Sequence, residues 1–333
     1  MSVYHGGNLA GAAAEFGIPR DKWIDLSTGI NPNPYPVVNI SDDLWARLPD
    51  QNRLVKLKEA AATYYQVQNP ELVIPVSGTQ TLLQILPHLF EKPKQVRILE
   101  PTYKEHAHCW ALAGHNVKGV VDLEAAEKEA DIIIVVNPNN PTGQTYQPNN
   151  LIALAKRQHK KGGLLIVDGA FVDCMADADI SSHAGMDGLL ILRSFGKFFG
   201  LAGIRLGFVL AGGALAERLK EGVGPWAVNG PALEIARQAF LDQQWIDETK
   251  IQLHNQAKRL DQLLTQNGYT VRGGTSLFRF VQCQNGQDLY HKLGQQGILI
   301  RPFADIADCV RMGLPKDESE WQKLKKIFKL ISV

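Results

Sequence analysis

Lys197 follows the β-rich run Leu189–Ser194 in the segment Ser194-Phe-Gly-Lys197-Phe-Phe-Gly. A lysine set among glycines and aromatic rings is poorly solvated. Desolvation lowers an amine's pKa and favours imine formation with a carbonyl. A second run, Leu164–Asp168, ends in a carboxylate. Facing a pyridine-type nitrogen, a carboxylate keeps the ring protonated and strongly electron-withdrawing. Ser77-Gly78-Thr79 follows the run Val73–Val76 and opens a helical pattern. It thereby offers backbone N–H groups at a helix start to an anion such as phosphate. Ser194 and Arg205 flank Lys197 and bring a hydroxyl and a planar guanidinium to the same kind of anion. Tyr103, in Pro101-Thr102-Tyr103 after Val96–Leu99, can stack on a flat ligand. Asn137-Pro-Asn-Asn140-Pro-Thr-Gly143 follows Ile132–Val136. Each feature also has a plain structural explanation: a solvated lysine, a helix-capping aspartate, a core tyrosine, an Asn/Pro/Gly turn.

The elements that carry these residues decide between the two readings. From about residue 72 to 210, short apolar runs alternate with amphipathic stretches such as Thr79–Phe90, Lys104–Leu112 and Asn149–Lys160. That alternation predicts an α/β fold with a mostly parallel sheet covered by helices on both faces. Ligands of such sheets collect at the carboxyl ends of strands, so Asp168 and Lys197 share one edge. Arg205–Ala211 reads as a further strand of undetermined direction. Beyond residue 225 the pattern becomes α+β. A long helix runs from Gly230-Pro231 to about Gln266, followed by strands Leu277–Cys283, Ile298–Arg301 and Cys309–Met312, a helix Gln287–Gln296, and a last helix Glu318–Ile331. The first 45 residues, with Gly6-Gly7, Gly29 and Asn31-Pro-Asn-Pro34, read mostly as loop and turn. The expected division is a large α/β domain over 46–222 and a smaller domain made of 1–45 with 223–333.

Composition narrows the partners. With 333 residues, 45% of them hydrophobic and a net charge of +1, the chain can bury two cores. It carries no electrostatic reason to bind nucleic acid or an anionic membrane. An anionic substrate must be met by positive charge inside a site. The four cysteines form no C-x-x-C pair, which favours thiols in a reducing cytosol over disulfides or a metal site. The first residues lack the pattern of a signal peptide, and the apolar runs are too short to span a bilayer. A soluble cytoplasmic protein is the expectation.

Taken in order, S-G-T, P-T-Y, N-P-N-N-P-T-G, D-x-A and S-x-x-K-x-x-x-x-x-G-x-R-x-G resemble the fold-type I pyridoxal 5′-phosphate (PLP) enzymes, the aspartate-aminotransferase-like superfamily, over nearly the whole chain. The resemblance implies that Lys197 is the Schiff-base lysine and Asp168 the partner of the pyridine nitrogen. It implies that Asn140 bonds the ring hydroxyl and Tyr103 stacks on the ring. Ser77, Gly78, Thr79, Ser194 and Arg205 would hold the phosphate. Arg311, in Val310-Arg-Met-Gly-Leu314, matches the superfamily's arginine for the substrate α-carboxylate. Two positions depart from the pattern. Phe171 replaces a tyrosine that many relatives aim at the ring hydroxyl. Leu48, in Arg47-Leu48-Pro49-Asp50, replaces a tyrosine that reaches the phosphate across a dimer.

Three further segments are similar to one branch of the superfamily, that of threonine-phosphate decarboxylases and histidinol-phosphate aminotransferases. They are His5-Gly-Gly-Asn8, Ser27-Thr-Gly-Ile-Asn31-Pro32 and Gly224-Pro-Trp-Ala-Val-Asn229. The H-G-G-N start favours the decarboxylase side. The branch implies a small phosphorylated amino acid as substrate, L-threonine O-3-phosphate, decarboxylated in cobalamin biosynthesis; the alternative is a transamination of the histidinol-phosphate type. A PLP-fold protein without activity is a third reading, opposed by the intact Lys197, Asp168, Asn140 and Arg205. A second anion site is then expected at Arg301, in Gly297-Ile-Leu-Ile-Arg301-Pro302, helped by His5 and Asn31. A homodimer is implied as well.

Overall fold

A computed structural model describes residues 6–37 and 40–331, so His5 lies outside the described residues. Contacts group the chain into two compact units, one of residues 35–140 and 144–247, the other of residues 1–34, 141–143 and 248–333.

The first unit holds seven strands: β1 (Val73–Val76), β2 (Gln95–Leu99), β3 (Asn116–Val120), β4 (Ile132–Val136), β5 (Leu164–Asp168), β6 (Leu189–Ser194) and β7 (Gly207–Leu210). Their order in the sheet is β1-β7-β6-β5-β4-β2-β3. All pairs are parallel except those of β7, which runs antiparallel to both β6 and β1. β4 and β6 are buried at every position and β5 at all but its first, as strands covered on both faces must be. On one face Leu82, Leu83, Cys109, Trp110, Ala216 and Leu219 form a core with Val96, Ile134, Ile166 and Leu190. On Pro148–Lys160, Leu151, Leu154 and Ala155 are buried, and Pro148 stands at the helix start where its missing N–H costs nothing.

The register fixes the site. Val136 pairs with Asp168, Asp168 with Leu192, and Ser194 with Gly207, which also pairs with Val76. Because β7 is reversed, the segment that enters it (Arg205) and the segment that leaves β1 (Ser77–Thr79) lie at the same edge as the carboxyl ends of β4, β5 and β6.

The second unit holds a four-stranded antiparallel sheet in the order Arg301–Pro302, Cys309–Gly313, Phe278–Gln282, Thr270–Thr275. Ile24–Asp25 pairs in parallel with Ile298–Leu299. Helices Leu9–Phe16, Gly286–Gly294 and Glu318–Ile331 belong to it, as does the helix Gln243–Gln266 from residue 248 onward.

Some elements differ from expectation. The long helix after Gly230 is two, Gly230–Leu241 and Gln243–Gln266. Asp242 breaks it because its carboxylate accepts the Trp245 N–H at 3.0 Å, capping the second helix. Gly230–Leu241 groups with the seven-stranded sheet, and the contact units change at 34/35 and 247/248, whereas the sequence placed the change near 46 and 222. The first 45 residues contain the helix Leu9–Phe16, begun by Asn8, whose side chain accepts the Gly11 N–H at 3.0 Å. Thr270–Thr275 is a strand the residue pattern did not announce.

Candidate active site

Asp168 ends β5 and is buried. One carboxylate oxygen lies 2.9 Å from His106 Nε2, and the other accepts the Ala170 N–H at 3.0 Å. A buried carboxylate needs such partners. His106 is itself buried, and its Nδ1 has no hydrogen-bond partner among the described residues. It stands three residues beyond Tyr103 on Lys104–Leu112, one helical turn away and therefore on the same side. That spacing was in the sequence, yet the histidine was missed.

Lys197 lies in the short helix Phe195–Phe198 and is half-buried. Its Nζ is 5.4 Å from the centre of the Phe171 ring. In the same segment Phe195 stacks on Phe199 at 4.4 Å, and Phe199 stacks on Trp245 at 5.6 Å. Gly196 is required for the close approach to Ala202, whose Cα would be 2.8 Å from a Cβ there.

The anion cradle forms where β1, β6 and β7 meet. Gly78 has φ +82, and a Cβ on it would lie 2.8 Å from Arg205 Nη2. A Cβ on Gly207 would lie 2.7 Å from the Thr79 backbone nitrogen. Only glycine at both positions lets guanidinium and turn come together. Arg205 is exposed, holds φ +57, and donates from Nη1 to Ala202 O at 3.1 Å. Ser194 is buried and pairs across the sheet with Gly207, two residues beyond Arg205. The Ser77 hydroxyl bonds the Ala227 carbonyl, and Asn229 Nδ2 donates to Ile204 O at 3.0 Å. The segment Gly224–Asn229 thus borders the cradle. Hydroxyls, a backbone amide and a guanidinium form a donor set suited to a phosphate dianion.

Tyr103 is half-buried, and its hydroxyl donates to Gln80 Oε1 at 3.2 Å, while Gln80 Nε2 donates to the buried Glu105 at 2.8 Å. Glu105 and burial together push the Cys109 thiol up to about 11, burial being the larger cause. Pro101-Thr102-Tyr103 is clasped to the Asn-rich segment: the Thr102 hydroxyl donates to Asn139 Oδ1 at 2.7 Å, and Asn139 Nδ2 donates to Pro101 O at 2.9 Å. Asn137 bonds Tyr146 and Ala178. Asn137 and Asn139 are therefore structural, and half-buried Asn140 follows them at the sheet edge.

Behind the edge, Arg193 is buried and bonds Asp173 at 2.6 Å, Asp179 at 2.7 Å and Ser181 at 2.8 Å. Burial works against its charge, but Asp173 and Asp179 outweigh burial and raise its pKa. Nothing in the sequence singled out this network, because its members meet only in three dimensions.

In the second unit, Arg301 and Arg311 are direct cross-strand partners. Arg311 is buried and donates from Nη2 to Ser27 O at 2.7 Å. Asn31 is buried, its side chain accepting the Asn33 N–H at 2.9 Å. The structure thus groups Ser77, Gly78, Thr79, Tyr103, Asn140, Asp168, Ser194, Lys197 and Arg205 in one unit, and Asn31, Arg301 and Arg311 in the other.

A sheet of this order with a lysine, a carboxylate and an anion cradle at one edge defines a PLP-dependent enzyme fold of type I. The aminotransferase class I and II family model matches residues 22–324, and the chain belongs to that family. It is 41% identical to threonine-phosphate decarboxylase of Pseudomonas aeruginosa over 322 residues, covering 96% of this chain and 95% of that protein. It is 29% identical to histidinol-phosphate aminotransferase of Aliivibrio fischeri over 326 residues, covering 92% and 91%. In fold it matches the crystal structure of histidinol-phosphate aminotransferase from Sinorhizobium meliloti in complex with pyridoxal-5′-phosphate, with a TM-score of 0.83 at 21% identity, covering 99% and 96% of the two chains.

Proposed function

We propose that the chain is a PLP-dependent lyase that decarboxylates L-threonine O-3-phosphate to aminopropanol phosphate, a step of cobalamin biosynthesis. The observation that carries the substrate class is the pairing of Arg301 with Arg311. Like charges placed directly opposite on neighbouring strands repel. Anions relieve that repulsion, and a substrate bearing both a carboxylate and a phosphate brings two. The 41% identity to a decarboxylase over nearly the whole chain favours the same reaction.

PLP, when bound, supplies an electron sink for the bond that breaks at Cα. Lys197 would hold the cofactor through Nζ, and the same Nζ could carry a proton to the substrate Cα. Asp168, held by His106 and the Ala170 amide, would keep the ring nitrogen protonated. Asn140 would take the ring hydroxyl without help from position 171, where Phe171 has no phenol. Tyr103, bonded to Gln80, would stack on the ring. Thr79, Ser77, Ser194 and Arg205 would take the cofactor phosphate at the Gly78 turn. Arg311 takes the substrate carboxylate, and Arg301, with Asn31 and His5, its phosphate. Two such anchors on one substrate would set the torsion about Cα, and with the carboxylate so aligned it would be the group lost rather than Cα–H.

We also take the protein to act as a homodimer in the cytoplasm. Exposed Trp45, Leu48 and Trp226 give the sheet-bearing unit large apolar side chains for a second copy to cover. Among the described residues no helix is long and apolar enough to cross a membrane.

One incubation tests the reaction. Holoenzyme given L-threonine O-3-phosphate without an oxo-acid acceptor should release CO₂ over many turnovers, and Lys197→Ala should lose both release and the visible absorbance of bound cofactor. Arrest after one equivalent, with the cofactor left in its amino form, would instead mark a transaminase of the histidinol-phosphate type, the reading that the Aliivibrio fischeri relative favours.

A further inference from the structure

Ser27 is fully buried and joins three segments of the unit that carries Arg301 and Arg311. Its hydroxyl donates to Asp25 Oδ1 at 2.6 Å, and the same carboxylate oxygen accepts the Ser27 N–H at 2.9 Å. With its proton committed to Asp25, the hydroxyl oxygen accepts the Gly7 N–H at 2.7 Å. The Ser27 carbonyl accepts Arg311 Nη2 at 2.7 Å. The backbone around it is stitched to the strand that carries Arg311 and to Ile298–Leu299, which ends two residues before Arg301. Leu26 N–H donates to Leu299 O at 2.8 Å, and Gly313 N–H donates to Leu26 O at 2.7 Å. A Cβ on Gly6 would overlap the Ser27 carbonyl oxygen, so only a glycine lies this close to the group that holds Arg311. One peptide unit therefore grips the N-terminal segment with its side chain and a buried guanidinium with its carbonyl.

We propose that Ser27 is a positioning residue that couples docking of the N-terminal glycine pair to the setting of Arg311, so that a carboxylate bound by Arg311 and a docked N-terminal segment stabilise each other. The coupling rests on reading Arg311 as the carboxylate anchor. It is reciprocal: an anion that fixes the guanidinium holds the Ser27 carbonyl, and the Oγ of the same residue then presents a fixed acceptor to Gly7. Loss of one buried hydrogen bond of this kind changes such an equilibrium by roughly 3–10-fold.

Amide hydrogen exchange of the N-terminal peptide in the holoenzyme, with and without excess L-threonine O-3-phosphate, tests this, read beside KM and kcat. In the unchanged protein the substrate should slow exchange of the Gly7 amide by roughly 3–10-fold. Ser27→Ala should speed exchange without substrate, abolish the protection by substrate, and raise KM by a similar factor with a smaller change in kcat. Gly6→Ala drives a methyl against the Ser27 carbonyl oxygen while leaving the Ser27 hydroxyl in the chain; it should undock the segment and act alike, and the double variant should be no worse than either alone. Exchange at Gly7 that is unmoved by Ser27→Ala, or faster exchange with KM unchanged, would overturn the proposal. Arg311→Lys separates it from the reading beneath it. If KM is indifferent to that change, the carboxylate anchor is wrong, whereas docking of the segment by Ser27 is still decided by exchange without substrate.

Discussion

In the turn after β1, Gly78 holds φ +82 and ψ 149, a conformation open essentially to glycine. Gly78→Ala should cost about 1–3 kcal/mol through the backbone alone. At roughly 2–4 °C per kcal/mol for a domain of this size, Tm falls by about 2–12 °C. The added Cβ also lies 2.8 Å from Arg205 Nη2 and 3.2 Å from its Cζ, so the guanidinium must leave its place. A hydrogen bond to a charged group contributes about 1.5–3 kcal/mol, so the PLP dissociation constant should rise about 10–150-fold. Titrating the apoenzyme with PLP and following the visible absorbance measures that constant, and a melting curve of the same sample measures the backbone cost. Arg205→Met should lose the same affinity without the backbone cost. The double variant should bind no more weakly than Arg205→Met alone, since both changes remove one contact. If Gly78→Ala lowered Tm yet left the dissociation constant within about twofold, less than 0.5 kcal/mol, Arg205 would not belong to the phosphate cradle and the reasoning from the glycine would be refuted.

Two further outcomes follow from the ion pairs. Arg193→Met leaves Asp173 and Asp179 without the cation that offsets their burial, and should destabilise by about 3–5 kcal/mol; a urea midpoint that scarcely moves would contradict this. Glu234 bonds Arg237 at 2.7 Å and Arg53 at 3.0 Å, and the hydrogen bond from Arg237 is the main cause of a carboxyl pKa near 2 against an ordinary 4.5. A folded-state pKa below the unfolded one contributes stability that is complete above about 4.5 and lost as pH falls through about 2. Glu234→Gln should therefore lower the urea midpoint near neutrality and show a flatter decline below about pH 4.5 than the unchanged protein.

The candidate site was legible to different depths. Lys197, Asp168 and the Ser77–Thr79 turn stood out because each follows an apolar run, and the ends of such runs are where parallel sheets gather ligands. The motif Asn137–Gly143 was legible only as a block. Its parts divide by place: Asn137 and Asn139 clasp neighbouring loops, whereas half-buried Asn140 ends the run at the sheet edge. His106 escaped notice although its spacing from Tyr103 placed it on the right helical face, because a histidine inside a helix carries no mark of its partner.

By itself the sequence determined the alternation of strands and helices, the residues at their ends and the family of the chain, since local periodicity and short motifs are properties of neighbouring positions. It could not determine the reversal of β7, which brings Arg205 beside Gly78. It did not place Arg301 opposite Arg311, tie Ser27 to both Gly7 and Arg311, or set His106 on Asp168. Each of these joins residues far apart in the chain. Strand register and burial decide such contacts, because a buried charge or donor must find its partner wherever the fold supplies one.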